Sequence, residues 1–336
     1  MIPNQGHADV KLFFLGPLGT YSHQAATKFD SNQEASASPA ESICQAVSVS
    51  VERIQTGQPT IAILPVENSY LGVVQECLDC LASPSQFSPK GLTIVDEVDI
   101  AVAHALIVTP EAVAMEDPYS HIQEVCSHPQ ALGQCAQFLD QHIPHAKRIE
   151  LHSTAEAVQK LSMSQQSTMA AIGSEISADL FHLPILARSI QALRDNVTRF
   201  IVAAGPYNDT QVQAFLAHLH SASNPTSGRM RALFRVQVPV ESYPDIEAAC
   251  ATFTQVLSQG SSLPWTLYGK VHYRDPSFGS TFSGQTFAFE MESPPMSCTY
   301  EAFDMSEAPL HALRAALNVP GDSTLECLGL WPVPPL

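Results

Sequence analysis

Basic residues are scarce in this sequence. Lys and Arg number 16 against 33 Asp and Glu, giving a formal net charge of −17. No basic block exists, so nucleic acid and anionic membrane surfaces are poor partners. Charge of either sign is thin: 15% of residues are charged, where a typical domain has about 25%. The surface therefore relies on Ser, Thr, Gln, Asn and His. Long apolar runs are missing as well. The longest, Ile100–Val108, contains His104 and is about half a membrane span. Residues 1–9 are polar and lack the layout of a signal or transit peptide. Eight cysteines are scattered over 336 residues, without the density of a disulfide framework. That predicts a cytosolic protein with reduced thiols. The one close pair, Cys77 and Cys80, lacks the second pair that a zinc site needs. Three residues apart, the two share a helix face and read as half-buried core.

What is present is a 45% hydrophobic share, enough for sizeable cores and against wholesale disorder. The length predicts two or three domains of about 100–150 residues. The first half alternates short apolar runs with amphipathic segments, the pattern of an α/β fold. Strands are expected at Lys11–Gly16, Thr60–Val66, Gln123–Ser127, Arg148–His152, Met169–Gly173 and Thr198–Ala203. Leu92–Val108 and Ala187–Ile190 read as extended. Helices are expected at Tyr21–Asp30 (capped by Thr20), Glu41–Ile54, Gly72–Leu81, Pro129–Gln141, Thr154–Met163 and after Ser174. A polar Ser/Gly/Pro-rich run at 221–228, after a short helix candidate at Val212–His220, marks a linker over 205–229. Beyond it, strands at Ala232–Val238, Trp265–Tyr273 and Thr286–Met291 alternate with helices at Ile246–Leu257 and Leu310–Leu317. That order is a small α+β domain of the split-βαβ kind.

Four segments place polar residues at strand ends, where open α/β sheets bind ligands. Gly16-Pro17-Leu18-Gly19-Thr20-Tyr21-Ser22 puts glycines and hydroxyls at a helix N-terminus. There it either receives an anion or simply makes a capped turn. Pro65-Val66-Glu67-Asn68-Ser69 ends a strand in a carboxylate, an amide and a hydroxyl. Ser127-His128-Pro129-Gln130 is followed by Gln134 on the next helix. A lone His before Pro reads as a turn or capping residue, so His128 is given no catalytic role. In Asp195-Asn196-Val197-Thr198-Arg199-Phe200 a hydroxyl and one of the few guanidiniums enter a strand together.

Taken together, these segments resemble the prephenate dehydratase family. The pattern G-P-x-G-T-F/Y-S-x-x-A is met at Gly16–Ala25, P-V/I-E-N-S at Pro65–Ser69, and S-H-P-Q-x-x-x-Q-C at Ser127–Cys135. S-T-x-x-A is met at Ser153–Ala157, A-A-I-G-S at Ala170–Ser174, and N-x-T-R-F at Asn196–Phe200. The resemblance implies a bilobal catalytic region over 9–204, like a periplasmic binding protein, with prephenate in the cleft. One lobe would be 9–100 plus 193–204 and the other 101–192. It implies decarboxylative dehydration of prephenate to phenylpyruvate in phenylalanine biosynthesis, with no cofactor and no metal. The family's catalytic roles carry over to Thr198, Glu67, Asn68 and Gln134. Substrate-contacting or cleft-lining positions fall on Thr20, Ser22, Ser69, Ser127, Ser153, Thr154, Arg199 and Phe200. A threonine hydroxyl is too weak an acid to be left as an alkoxide. Thr198 is therefore read as a hydrogen-bond donor to the leaving oxygen or as a relay, with Glu67 the candidate proton source. If Glu67→Gln keeps kcat while Glu67→Ala loses it, Glu67 acts by hydrogen bonding and not by proton donation.

The same resemblance implies a C-terminal ACT-like domain over 230–333 and a homodimer or homotetramer. The family's Pro-Gly-Ala-Leu turn is replaced by residues 240–246, and its Glu-Ser-Arg-Pro segment by His272-Tyr273-Arg274-Asp275-Pro276. L-Phenylalanine is thus an effector that the family implies but these segments argue against. The linker and Pro-rich tail, Trp331–Leu336, suggest a fungal member. Arogenate dehydratase is the nearest alternative activity, and a catalytically silent binding or sensor protein is an alternative from another class. A chain of net charge −17 cannot use its overall field to attract a dianion. Recognition must be local, through Arg199, helix N-termini after Gly19 and Ser127, and neutral donors such as Asn68, Ser69 and Thr198.

Overall fold

In the computed structural model the chain starts with β1 (Lys11–Leu15), α1 (Tyr21–Phe29), β2 (Ser36–Ala40), α2 (Ile43–Gln55) and β3 (Thr60–Asn68). The structure describes residues 10–33, 35–83, 85–88, 91–164, 166–206, 209–222, 230–239, 266–274, 284–292 and 324–332. The ends of α1 and α2 follow local chemistry. Thr20 and Ser42 cap them by accepting from the backbone N–H of His23 and Gln45. β2 has no apolar alternation, and no strand is expected there from sequence. It forms by parallel pairing with β1, at the sheet edge where Pro39 needs no ladder donor.

β4 (Gly72–Val73) folds back on the end of β3, and α3 (Gln75–Leu81) follows. The expected helix start at Gly72 gives way because Gly72 takes φ 77° and pairs with Asn68 as strand. Cys77 and Cys80 are buried in α3, more deeply than the half-burial read from their spacing. The expected extended run Leu92–Val108 is two strands in two different sheets, β5 (Thr93–Ala101) and β6 (Ala105–Val108).

The second lobe continues with α4 (Pro110–Val113), α5 (Pro118–His121), β7 (Glu124–Ser127), α6 (Pro129–Gln134), α7 (Ala136–His142), β8 (Lys147–Glu150), α8 (Thr154–Met163), β9 (Met169–Gly173), α9 (Glu175–Leu180) and β10 (Ile185–Ala187). Its sheet runs β10-β6-β9-β7-β8. The chain then returns to the first lobe as β11 (Val197–Gly205), antiparallel to both β3 and β5. Residues 10–205 thus form a bilobal α/β structure crossed twice, at 102–104 and 188–196. The two crossings are bonded to each other: Val102 N–H donates to Asn196 O at 2.8 Å, and Ile190 N–H to His104 O at 3.0 Å.

α10 (Thr210–Ala222) buries Val212, Phe215 and Leu216 against α1 and the first sheet. At i, i+3 and i+4 these form one face, and each contributes about 1.5–3 kcal/mol. The last strands are β12 (Met230–Pro239), β13 (Thr266–Arg274), β14 (Gly284–Glu292) and β15 (Thr324–Pro332). They lie in the order β13-β14-β12-β15, antiparallel throughout, which is the strand order of a split βαβ unit. β15 is not expected from sequence. Its ladder with β12 carries a register shift at Leu233/Phe234, which breaks a clean alternation. β15 also pairs with β5, so this sheet continues the first lobe's sheet. The helices expected at 246–257 and 310–317 lie outside the described residues. Among the described residues, no helix is long and apolar enough to cross a membrane.

Candidate active site

The ends of β3 and β11 bring two motifs together that are about 130 residues apart in sequence. Asn68 is opposite Thr198 and Glu67 opposite Arg199. Pro65 is opposite Phe200, so Val66 is an extra residue in β3. That bulge turns the last two residues of the strand. Partners directly opposite in an antiparallel ladder share a face. Asn68 and Thr198 therefore face one way, and Glu67 and Arg199 the other.

The Asn68 amide is fully specified. Its oxygen accepts from the N–H groups of Tyr70 and Leu71, both at 3.0 Å. Its Nδ2 donates to Asn196 Oδ1 at 2.8 Å and to Thr198 Oγ1 at 2.9 Å. Thr198 is half-buried and, among the described residues, donates its hydroxyl proton to no protein acceptor. A hydroxyl that accepts from a fixed amide and still holds its own proton is oriented to donate. Ser69 secures the same strand end: its N–H donates to Val197 O at 2.9 Å, and its hydroxyl accepts from Val197 N–H at 3.0 Å. Tyr70 donates to the Asp195 carboxylate, and that bond raises its phenol pKa.

On the other face, Arg199 is held by two carboxylates. Its Nη2 is 3.4 Å from Glu67 Oε2 and its Nη1 is 3.4 Å from Glu97 Oε2. Glu97, on β5, also receives Arg231 of β12, whose Nη1 is 2.6 Å from both carboxylate oxygens.

The Gly16–Ser22 and Ala170–Ser174 motifs meet across the two lobes. The carbonyl of Gly19 accepts from Ser174 Oγ at 2.8 Å and from Ser177 Oγ at 2.6 Å. Gly19 has φ 88°, and a Cβ there would stand 3.0 Å from Ser177 Oγ. Both the backbone angle and the close approach of α9 require glycine. The family model described as prephenate dehydratase matches residues 12–206, more than half of the chain, and so spans all of these segments. The chain belongs to the prephenate dehydratase family.

The bifunctional chorismate mutase/prephenate dehydratase of Escherichia coli (strain K12) is 34% identical over 194 residues, 58% of this chain and 47% of that relative. The chain spans about half the length of the curated relatives it matches. Two solved structures share the fold. One, described as GqqA, a novel type of quorum-quenching acylase, covers 97% of this chain and 98% of its own at TM-score 0.68 and 19% identity. The other, the prephenate dehydratase of Arthrobacter aurescens in complex with L-Phe, covers 96% and 89% at TM-score 0.66 and 23% identity.

The remaining site residues expected in this dehydratase-family chain are placed as follows. Thr20 caps α1 and is half-buried, while Ser22 is buried on the same turn. Ser127 is buried and donates to Ile172 O at 2.7 Å, so its proton is spent on the neighbouring strand. His128 caps α6 through Gln130 N–H. Ser153 caps α8 by accepting from Glu156 N–H at 3.0 Å, beside half-buried Thr154. Phe200 is 1% exposed and packs in the first lobe's core.

Gln134 stands at the end of a chain of bonds that spacing alone does not reveal. Its Oε1 is 2.9 Å from His104 Nε2, and His104 Nδ1 is 3.0 Å from the Tyr21 hydroxyl. His104 N–H donates to Gln191 Oε1 at 2.9 Å, and the Tyr21 hydroxyl is also 2.9 Å from Ala103 O. His104 sits in the lobe crossing between β5 and β6. Thr198 is opposite Ile100 on β5. Ile100 packs in the cluster that includes Tyr21, so Thr198 and the Tyr21–His104–Gln134 chain share a side of the sheet. One signal was available: a histidine inside the longest apolar run must be buried and satisfied.

Burial pushes the His104 imidazole below its usual value, with the Gln134 bond opposing, and pushes the Tyr21 phenol up. His104 is then neutral at pH 7. With Nε2–H donating to Gln134 Oε1, Nδ1 can only accept, and the single Tyr21 proton is shared between Nδ1 and Ala103 O. A histidine kept neutral in the fold supports stability above its unfolded value of 6.5. That support is lost as pH falls toward the lower folded value. The expected result is that His104→Asn flattens the decline in unfolding midpoint as pH falls below 6.5. His23, whose pKa burial also lowers, should leave a residual slope of the same sign.

Proposed function

We propose that this chain is a prephenate dehydratase that acts in the cytosol without a cofactor. The carboxylate on the ring carbon leaves as carbon dioxide. Its bonding electrons enter the ring and expel the ring hydroxyl, which takes up one proton and departs as water. Phenylpyruvate remains. Aromatisation drives the reaction, so the protein has to hold the dianion, bend it toward carboxylate loss and assist departure of the hydroxyl.

The observation that carries this reading is the Asn68–Thr198 pair, in which Asn68 donates to Thr198 at 2.9 Å. Thr198 is the donor to the leaving oxygen. Gln134, held by His104, and the neutral donors around Thr20 and Ser69 orient the substrate. Glu67 and Arg199 support the strand end from the opposite face. The family model across residues 12–206 supports the assignment. Residues 9–204 form the catalytic domain and 205–229 the connection. Residues 230–333 form an ACT-like domain, supported by the order β13-β14-β12-β15. We expect a homodimer or homotetramer. The Arthrobacter aurescens protein was solved with L-Phe. In this chain the altered segments at 240–246 and 272–276 favour loss of phenylalanine inhibition.

The test is a comparison of kcat/KM for prephenate and for arogenate with the purified chain. Preference for prephenate is expected. Preference for arogenate would move the assignment to arogenate dehydratase, and turnover of neither would leave the binding-protein reading.

A further inference from the structure

β12 sends two buried arginines into the first lobe. Arg231 and Arg235 lie four residues apart in the strand, so they share a face with Leu233 between them. Leu233 packs in the core formed by α2, α3, β3 and β11. Arg235 is 1% exposed and donates to Leu81 O at 3.0 Å and Phe87 O at 2.9 Å, at the end of α3. Arg231 reaches Glu97, whose side chain is 1% exposed.

The distances divide the charge unevenly. Arg231 is 2.6 Å from Glu97, whereas Arg199 is 3.4 Å from Glu97 and 3.4 Å from Glu67. Arg199 is therefore shared evenly between two carboxylates, although Glu97 is buried and the Glu67 side chain is 43% exposed. In a low-dielectric site a bare Glu97 would win that contest, because a Coulomb attraction grows as solvent is removed. Arg231 prevents this by taking up the Glu97 charge.

We propose that Arg231, outside the segment matched by the family model, is a positioning residue for the candidate active site: by pairing with Glu97 it keeps Arg199 from being drawn off Glu67 at the end of β3. The C-terminal sheet is then part of the catalytic structure as well as a neighbour of it. This rests on reading the β3–β11 pair as catalytic. Glu67 adjoins Asn68, so a shift of Arg199 toward Glu97 moves the strand end that orients Thr198.

Removing one partner of a buried ion pair leaves an uncompensated charge, whereas removing both does not. Four full-length variants test the idea: Arg231→Met, Arg231→Lys, Glu97→Gln and the double Arg231→Met/Glu97→Gln. Arg231→Met is expected to lower kcat for prephenate about tenfold or more, with KM changed by less than about threefold. Arg231→Lys should recover most of kcat, since a single nitrogen of Arg231 reaches both Glu97 oxygens and an ammonium can carry the charge there. The double variant should be faster than Arg231→Met and unfold at a higher midpoint, a sign reversal that loss of packing alone would not give. An unchanged kcat in Arg231→Met, or a double variant no better than the single in rate, overturns the proposal. If Arg231→Met fails to fold, recovery of folding and rate in the double variant supports the charge coupling, and its absence contradicts it. Turnover by the unsubstituted chain is the control. Without it the functional reading falls, and the unfolding midpoints decide the charge coupling alone.

Discussion

Thr198→Val should lower kcat for prephenate by about 10²–10³-fold, roughly 3–4 kcal/mol of lost transition-state stabilisation. Valine keeps the shape and removes one hydroxyl, so KM and the unfolding midpoint should move little. The hydroxyl accepts from Asn68 Nδ2 at 2.9 Å, and the substitution also leaves that amide one acceptor short. Its other bond, to Asn196 at 2.8 Å, keeps it in place. Steady-state kinetics with matched unfolding curves checks both halves. A fall in KM-linked binding with kcat intact would show that Thr198 binds substrate and donates nothing to the leaving oxygen. Thr198→Ser, which keeps the hydroxyl, should keep most of the rate.

Gly19→Val should have the largest effect on the folded state. Gly19 has φ 88° and faces Ser177 Oγ at 3.0 Å from the position of a Cβ. A β-branched residue is a genuine outlier at that angle. Strain and overpacking together are expected to cost about 3 kcal/mol, read as a lower denaturant midpoint at unchanged slope. The same carbonyl takes the Ser174 and Ser177 hydroxyls from the other lobe. The surviving folded protein should therefore also show a raised KM, because fewer molecules hold the lobes in the binding arrangement. Ser174→Ala with Ser177→Ala separates the two causes: it should raise KM without the backbone strain.

The parts of this structure that sequence made legible are those set by local chemistry. Thr20, Ser153 and Ser174 start helices because their side-chain oxygens take up free N–H groups close in sequence. His128 caps for the same reason, as its place before Pro129 suggested. Met169–Gly173 reads as a strand because it is buried on both faces and apolar throughout. β2 was not legible, since Ser-Ala-Ser-Pro-Ala becomes a strand only when β1 offers an edge. The division of 92–108 between two sheets was not legible either, because the apolar run Ile100–Val108 crosses the junction and only the partners of β5 and β6 differ.

For the site, motif residues were found but their directions were not. Arg199 stood out as one of 16 basic residues, yet the extra residue Val66 in β3 decides that Glu67 shares its face, and no periodicity marks that bulge. Ser127 and Phe200 fall within motifs but are turned into the protein, one toward Ile172 O and one into the core. Glu97 and Arg231 carry no motif. Their pairing depends on β15 joining β5 and bringing in β12 as the next strand of the sheet, a contact between residues 134 apart in sequence.

One measurement bears most directly on the central claim: the stoichiometry of products formed from prephenate by the purified chain at neutral pH, with phenylpyruvate and carbon dioxide measured in the same reaction. The account predicts one of each per prephenate consumed, without added metal or cofactor, and a rate that collapses in Thr198→Val. Contradiction would be prephenate consumed without equal phenylpyruvate and carbon dioxide, or prephenate left intact at rates no different from those without protein.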